Sequence, residues 1–301
     1  MDAHNLSLDD VKHHFRQKIR ILDHTLDDAQ LEARCPLDNG RHILQPKTRV
    51  GQLDRLPIEL INQVLGMLDI PTLTNFRRVN QRAMHLVDSL PQYRRLWTFC
   101  PNILRAAISI NAASFSCETL FQTLTREKCE SCGSFGGYLY LITCKRVCYF
   151  CFTRRKEYFP VSLTLAARQA KLQKKAFSHL PQVLSLPGRY TAIAKLSRHR
   201  VTLIDRQALF HLSEEAEMLN KRIDYMTTEP RRYMSIVAAP RLDVHHQKAE
   251  WGLFCALCRD NTGPRIHFRT QYDQQDILQH FKDHHAAQIP TSPSYQYYIY
   301  S

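Results

Sequence analysis

Of ten cysteines, five crowd into residues 129–151 and two form Cys255-x-x-Cys258. Cys129-x-x-Cys132 and Cys148-x-x-Cys151 are separated by 15 residues, a spacing at which two such turns close one tetrahedral zinc site. Four thiolates fill the shell, so the chemistry is structural; a catalytic zinc keeps one position open for water. Gly133, Gly136 and Gly137 suit the tight backbone of a knuckle, and Tyr138, Tyr140 and Ile142 alternate like a strand. Cys144 is left out because its spacing to Cys148 is three residues rather than two, although a swap of Cys144 for Cys148 stays open. A second ligand set reads Cys255-x-x-Cys258 followed by Ile277-x-x-His280-x-x-x-His284, two histidines on one helical face as in a finger-like ββα unit. The 21 residues from Cys258 to His280 exceed the usual 12 or so of that class. His285 is an alternative to His284, and His245-His246 is a weaker competitor.

These clusters need a scaffold and a compartment. The remaining thiols, Cys35, Cys100 and Cys117, are scattered and read as small buried hydrophobes. In a reducing compartment this distribution of cysteines favours metal over disulfides. The opening MDAHNLSLDD lacks a basic, apolar leader and no run approaches a membrane span, so the expected location is cytoplasmic or nuclear. The 301 residues suffice for about two domains of the usual 100–200 residues. Net charge is +13, and residues 141–241 hold 19 Lys and Arg against 7 Asp and Glu. That basic segment favours acidic partners, nucleic acid among them. The helix carrying His280 opens on Asp273 and Asp276, which oppose phosphate approach, and one finger reads only about three base pairs.

Val11, Phe15, Ile19 and Leu22 are spaced for an amphipathic helix in the first 30 residues. From Asp54 two short helical patterns follow, opened by Leu56-Pro57-Ile58-Glu59 and Ile70-Pro71-Thr72-Leu73. Their apolar stripes run Ile58, Ile61, Val64, Leu65, Leu68 and Leu73, Phe76, Val79, Met84, Val87. Helices this short must pack on the rest of the chain or on another protein. Residues 53–97, LDRLPIELINQVLGMLDIPTLTNFRRVNQRAMHLVDSLPQYRRLW, resemble an F-box, the three-helix module that docks the Skp-type adaptor of SCF ubiquitin ligases. The resemblance implies adaptor contacts at Leu56, Pro57, Ile58, Ile61, Leu65, Leu73, Phe76 and Val79, with cullin reached through the adaptor. KCESCGSFGGYLYLITCKRVCYFCF, and more weakly LPGRY, are similar to segments that follow the F-box in filamentous-fungal F-box proteins.

Residues 160–240 read as mostly helical, with Leu163, Ala166, Ala167, Ala170 and Phe177 on one face and Lys171, Lys174 and Lys175 on the other. A short strand is expected over Val201–Ile204, then a helix capped by Asp205 and carrying Leu209, Phe210, Leu212, Met218 and Leu219. The expected fold is mainly α with small zinc-stabilised β elements: a three-helix F-box followed by a zinc-braced α+β module. The expected order is 1–52 extension and linker, 53–98 F-box, 99–128 helical connector, 129–160 four-cysteine knuckle, 161–245 basic helical region, 246–289 finger-like unit and 290–301 tail. There is no phosphate-cradling Gly-rich loop, Gly-x-Ser-x-Gly elbow or His-Glu-x-x-His helix, so no enzyme is expected. The function that follows is a non-catalytic adaptor that holds an unidentified protein substrate. A zinc-dependent nucleic-acid-binding protein is the alternative.

Overall fold

A computed structural model describes residues 6–19, 22–37, 49–210, 230–263 and 266–288. The chain divides into two units: Ile21–Trp251, and Met1–Arg20 together with Gly252–Ser301.

In the large unit the F-box region forms the three helices Ile58–Gly66, Ile70–Arg77 and Gln81–Ser89, led by a 3-10 turn over Gly51–Arg55. Local chemistry fixes their starts. Asp69 accepts from the Thr72 N–H at 2.8 Å, and Asn80 from that of Ala83 at 2.8 Å. Arg77 grips Asp88 with two bonds of 2.7 and 3.0 Å and so ties the second helix to the third. Helices continue beyond the module at Pro91–Phe99, Pro101–Ser109 and Cys117–Thr125. Residues 99–128 are more than a connector, because Ile103, Leu104, Ala106, Ala107 and Leu120 are fully buried in the main core.

That core continues into a three-stranded antiparallel sheet in which Tyr138–Tyr140 lies between Lys145–Val147 and Ile236–Ala238. A second sheet sets Thr202–Ile204 between Val161–Ser162 and Gln182–Leu184. Arg241–Asp243 and Lys248–Glu250 pair as a hairpin. The described part of residues 161–245 is thus mixed rather than mostly helical. Helix Leu163–Ala170 stops where Lys171 turns left-handed at φ 52°, and the prolines at 181 and 187 leave only short β-branched runs to pair as strands. Phe177 falls in a 3-10 turn and packs with Val161, Ala166 and Ile204 in a second, smaller core. Asp205 caps helix Arg206–Phe210 by accepting from the Ala208 N–H at 2.8 Å; Leu212, Met218 and Leu219 lie outside the described residues.

The small unit joins distant parts of the sequence. The N-terminal amphipathic helix is cut short: a Ser7–Asp10 capping box starts Leu8–Val11, a 3-10 turn follows, and Phe15–Arg16 pairs as a strand with Phe254–Cys255. Phe15 therefore follows strand pairing rather than helix period, and the residues assigned to an extension build part of the finger-like unit. Val11 is buried with Leu253, Ile277 and Phe281. Helix Gln274–His284 completes the unit, its N-terminus capped by Asp273.

Candidate functional site

Helix Ile58–Gly66 is apolar on two faces. Ile61 and Leu65 point into the core at 2% exposure, and Leu73 on the next helix is fully buried. These three residues of the expected adaptor set serve the chain's own packing. Leu60, Val64 and Met67, spaced by four and three, form a neighbouring stripe, about 100° round the helix, that is open to solvent, with Met67 77% exposed. Leu56, Pro57 and Ile58 are exposed beside it in sequence, Phe76 is half-buried, and Val79 is 68% exposed. The stripe at 60, 64 and 67 was available in the sequence but competes there with the one at 61, 65 and 68. The helix thus packs one apolar stripe into the core and leaves a second one open.

The four thiols at 129, 132, 148 and 151 come together in the large unit. Their sulfurs all lie within 4.8 Å of one another, and Cys132 Sγ is 3.6 Å from Cys148 Sγ. A tetrahedral zinc with bonds near 2.3 Å sets sulfurs about 3.8 Å apart, so the cage has the required size. The first pair sits on a knuckle: the Gly133 N–H donates to the Cys129 carbonyl at 2.9 Å, Gly133 takes φ +76°, and Lys128 bridges Phe135. The hairpin Tyr138–Tyr140/Lys145–Val147 then returns the chain, and Cys148 caps the short helix Tyr149–Arg154, so its turn presents Cys151 beside it. Ser131 anchors the knuckle, bonding Glu157 and the Tyr158 hydroxyl at 2.6 Å each.

Charge in this cage supports a cation. Hydrogen bonds from Cys148 and Cys151 pull the Cys129 thiol well below its usual range, while bonding to Cys129 pushes Cys148 up to about 12 and Cys151 higher still. Four thiolates within 4.8 Å of one another repel, so all four coexist only around a positive ion. Arg155 lies against the cluster, and its Nη2 donates to the Ser131 carbonyl at 3.0 Å. Cys144 stands apart with its thiol 3.6 Å from Thr123 Oγ1, and burial pushes it up to about 12.

In the small unit the group is Cys255, Cys258, His280 and His285, again within 4.8 Å of one another. Cys258 Sγ lies 3.4 Å from His280 Nε2 and 3.2 Å from His285 Nε2. His284, the expected fourth ligand, is exposed and outside the group. The helix ends at His284; His285 is the C-cap with φ −134°, and leaving the helical path brings its ring back to the thiol. The outer nitrogens have partners, His280 Nδ1 with the Tyr272 hydroxyl and His285 Nδ1 with Gln288 Oε1, both at 3.2 Å. Burial lowers the His280 pKa to about 4, which keeps the imidazole neutral and ready to coordinate. His245 and His246 instead cap Asp243 through their N–H groups. Either four-residue group could hold a metal ion.

The basic segment is less of a surface than its composition implies, since Arg146, Arg206 and Arg232 are at most 1% exposed. Among the described residues no helix is long and apolar enough to cross a membrane. No curated protein and no solved structure matches the chain. Residues 53–95 match the F-box domain, the stretch that holds the three helices and the open apolar stripe, so the chain carries an F-box domain.

Proposed function

We propose that the chain is a substrate-recognition subunit of an SCF-type ubiquitin ligase. Its F-box docks a Skp-type adaptor and through it cullin, and the rest of the large unit, braced by zinc, presents a surface to a protein target. The observation that carries the reading is the F-box match together with the apolar residues Leu56, Ile58, Leu60, Val64, Met67 and Val79 left open on that module. Each apolar side chain of this size that leaves water contributes on the order of 1.5–3 kcal/mol, so a handful suffices to hold a short module. The chain does no bond chemistry in this scheme; it holds a target near the ubiquitin-conjugating enzyme that the complex recruits.

Zinc is the ion that best suits both donor sets, four thiolates in one and two thiolates with two imidazoles in the other. With four protein ligands each, both centres are structural, and binding of about 10–16 kcal/mol makes the metal part of the fold.

The test is co-purification of the full chain with a Skp-type adaptor. Stable capture is expected, and Val64→Asp with Met67→Asp should abolish it while the melting temperature stays near that of the unchanged protein. If the intact, folded chain fails to capture any adaptor, the ligase reading is wrong.

A further inference from the structure

Among the described residues, which include all ten cysteines, Cys132 is the one thiol exposed to solvent. Its three partners in the four-cysteine centre are buried, and so are Cys255 and Cys258 in the other. The scattered thiols are closed off as well. Burial pushes Cys100, Cys117 and Cys144 up to about 12 each, so they stay protonated and inert at neutral pH. A dissolved oxidant that reaches the surface therefore meets one sulfur first.

Local structure explains the exposure. Cys132 stands at the outer turn of the knuckle, between Ser131, which Glu157 and Tyr158 hold in place, and Gly133 with its positive φ. The turn carries Cys132 outward while its sulfur still reaches the other three. The buried Cys148 sulfur lies 3.6 Å from it. Arg155, bonded to the Ser131 carbonyl, sets its guanidinium close enough to Cys132 for the two charges to act on each other, and its carboxylate neighbour Glu157 stands off at 3.9 Å. An exposed thiolate in electropositive surroundings, with a second thiol in reach, is the arrangement of an oxidant-reactive cysteine.

We infer that the four-cysteine centre is a reversible oxidation site, with Cys132 the attacking and Cys148 the resolving residue, and hydrogen peroxide the class of oxidant. Zinc bound in the centre keeps both sulfurs as thiolates. The Cys132 thiolate attacks a peroxide oxygen; the O–O bond breaks, hydroxide leaves and the sulfur becomes a sulfenic acid. The Cys148 thiolate then attacks that sulfur; the S–O bond breaks, a second hydroxide leaves and a disulfide forms. The two sulfurs give up two electrons to the peroxide, and two protons from solvent turn the hydroxides into water. Zinc, left with Cys129 and Cys151 alone, dissociates. A dithiol reverses the step by thiol–disulfide exchange, after which zinc binds again. Cys129, Cys148 and Cys151 belong to the main core with Tyr138, Tyr140 and Phe152, so oxidation loosens the part of the large unit that the proposed function gives to the target. Residues 53–95 contain no cysteine and are chemically untouched. The inference rests on the zinc reading of this centre, which the metal content of the untreated chain tests by itself.

The experiment uses the full, zinc-loaded chain with hydrogen peroxide as the sole oxidant; native mass spectrometry counts zinc and peptide mapping locates disulfides. One of two zinc ions should leave as a Cys132–Cys148 disulfide appears, and dithiothreitol with added zinc should restore both. Cys132→His keeps four ligands, so it should still hold two ions while release slows by on the order of tenfold or more. Cys144→Ser, a thiol outside the centre, should release zinc at the unchanged rate. Should Cys132→His fail to fold, the disulfide map of the unaltered chain decides. A first disulfide that lacks Cys132, loss of the two ions at one rate, or undiminished release from Cys132→His overturns the site. If the untreated chain holds no zinc, the metal reading falls, and the first disulfide formed still decides for or against the Cys132–Cys148 pair.

Discussion

A Cβ placed on Gly136 would come within 2.5 Å of Arg146 Cγ and 3.1 Å of the Cys129 nitrogen. The reason is the course of Arg146, which runs buried past this point to donate to the carbonyls of Thr123, Leu124, Gly136, Ala239 and Pro240. Burial lowers its pKa to about 10, so it remains a cation at neutral pH and serves as a clamp between helix Cys117–Thr125 and the segment after strand Ile236–Ala238. Gly136→Ala is expected to cost about 1–3 kcal/mol through crowding against this clamp, read as a lowered Tm. A second residue-scale expectation concerns the histidines. His285→Ala should empty the Cys255/Cys258 centre and halve the zinc content measured by mass spectrometry, while His284→Ala should leave it unchanged. The cysteine pairs were legible because a two-residue spacing is a local constraint. The choice between two adjacent histidines was not, because it depends on the residue at which the helix stops.

At the scale of elements, helix Ile58–Gly66 buries one apolar stripe in the core and leaves another open, to which the proposed function assigns docking. Ile61→Ala should cost about 2–5 kcal/mol of stability by opening a cavity in the core. Leu60→Ala should change stability by no more than about 0.5 kcal/mol yet weaken adaptor capture. Thermal unfolding and a pull-down on the same two proteins separate these effects. Two helical patterns could be read from the sequence, but the second, from Leu73 to Val87, is two helices, because Asn80 leaves the helical path and caps a new start at Gln81; the count of three was implied only by the resemblance. Which stripe faced inward could not be read, since a helix with two adjacent apolar stripes carries no local sign of which one its neighbours cover. The strands were harder. Val201–Ile204 was readable from its β-branched run, but Gln182–Leu184 and Ile236–Ala238 exist as strands because residues far along the chain pair with them.

The whole molecule is organised by pairings that sequence order hides. Residues assigned to an N-terminal extension lie in the finger-like unit, where Phe15 pairs with Cys255 and Val11 fills the core around Ile277 and Phe281. Deleting residues 1–16 should therefore make the Cys255/Cys258/His280/His285 centre give up its metal to a chelator faster, while the four-cysteine centre keeps its own rate; a colorimetric release assay resolves two phases. The same pairing bears on synthesis. The ribosome delivers Phe15 about 240 residues before Cys255, and at roughly 5–20 residues per second the early segment waits on the order of 10–50 s for its strand partner. During that interval Val11 and Phe15 are open to chaperones, and any nascent chain that stops before residue 255 leaves them uncovered as a mark of an unfinished protein.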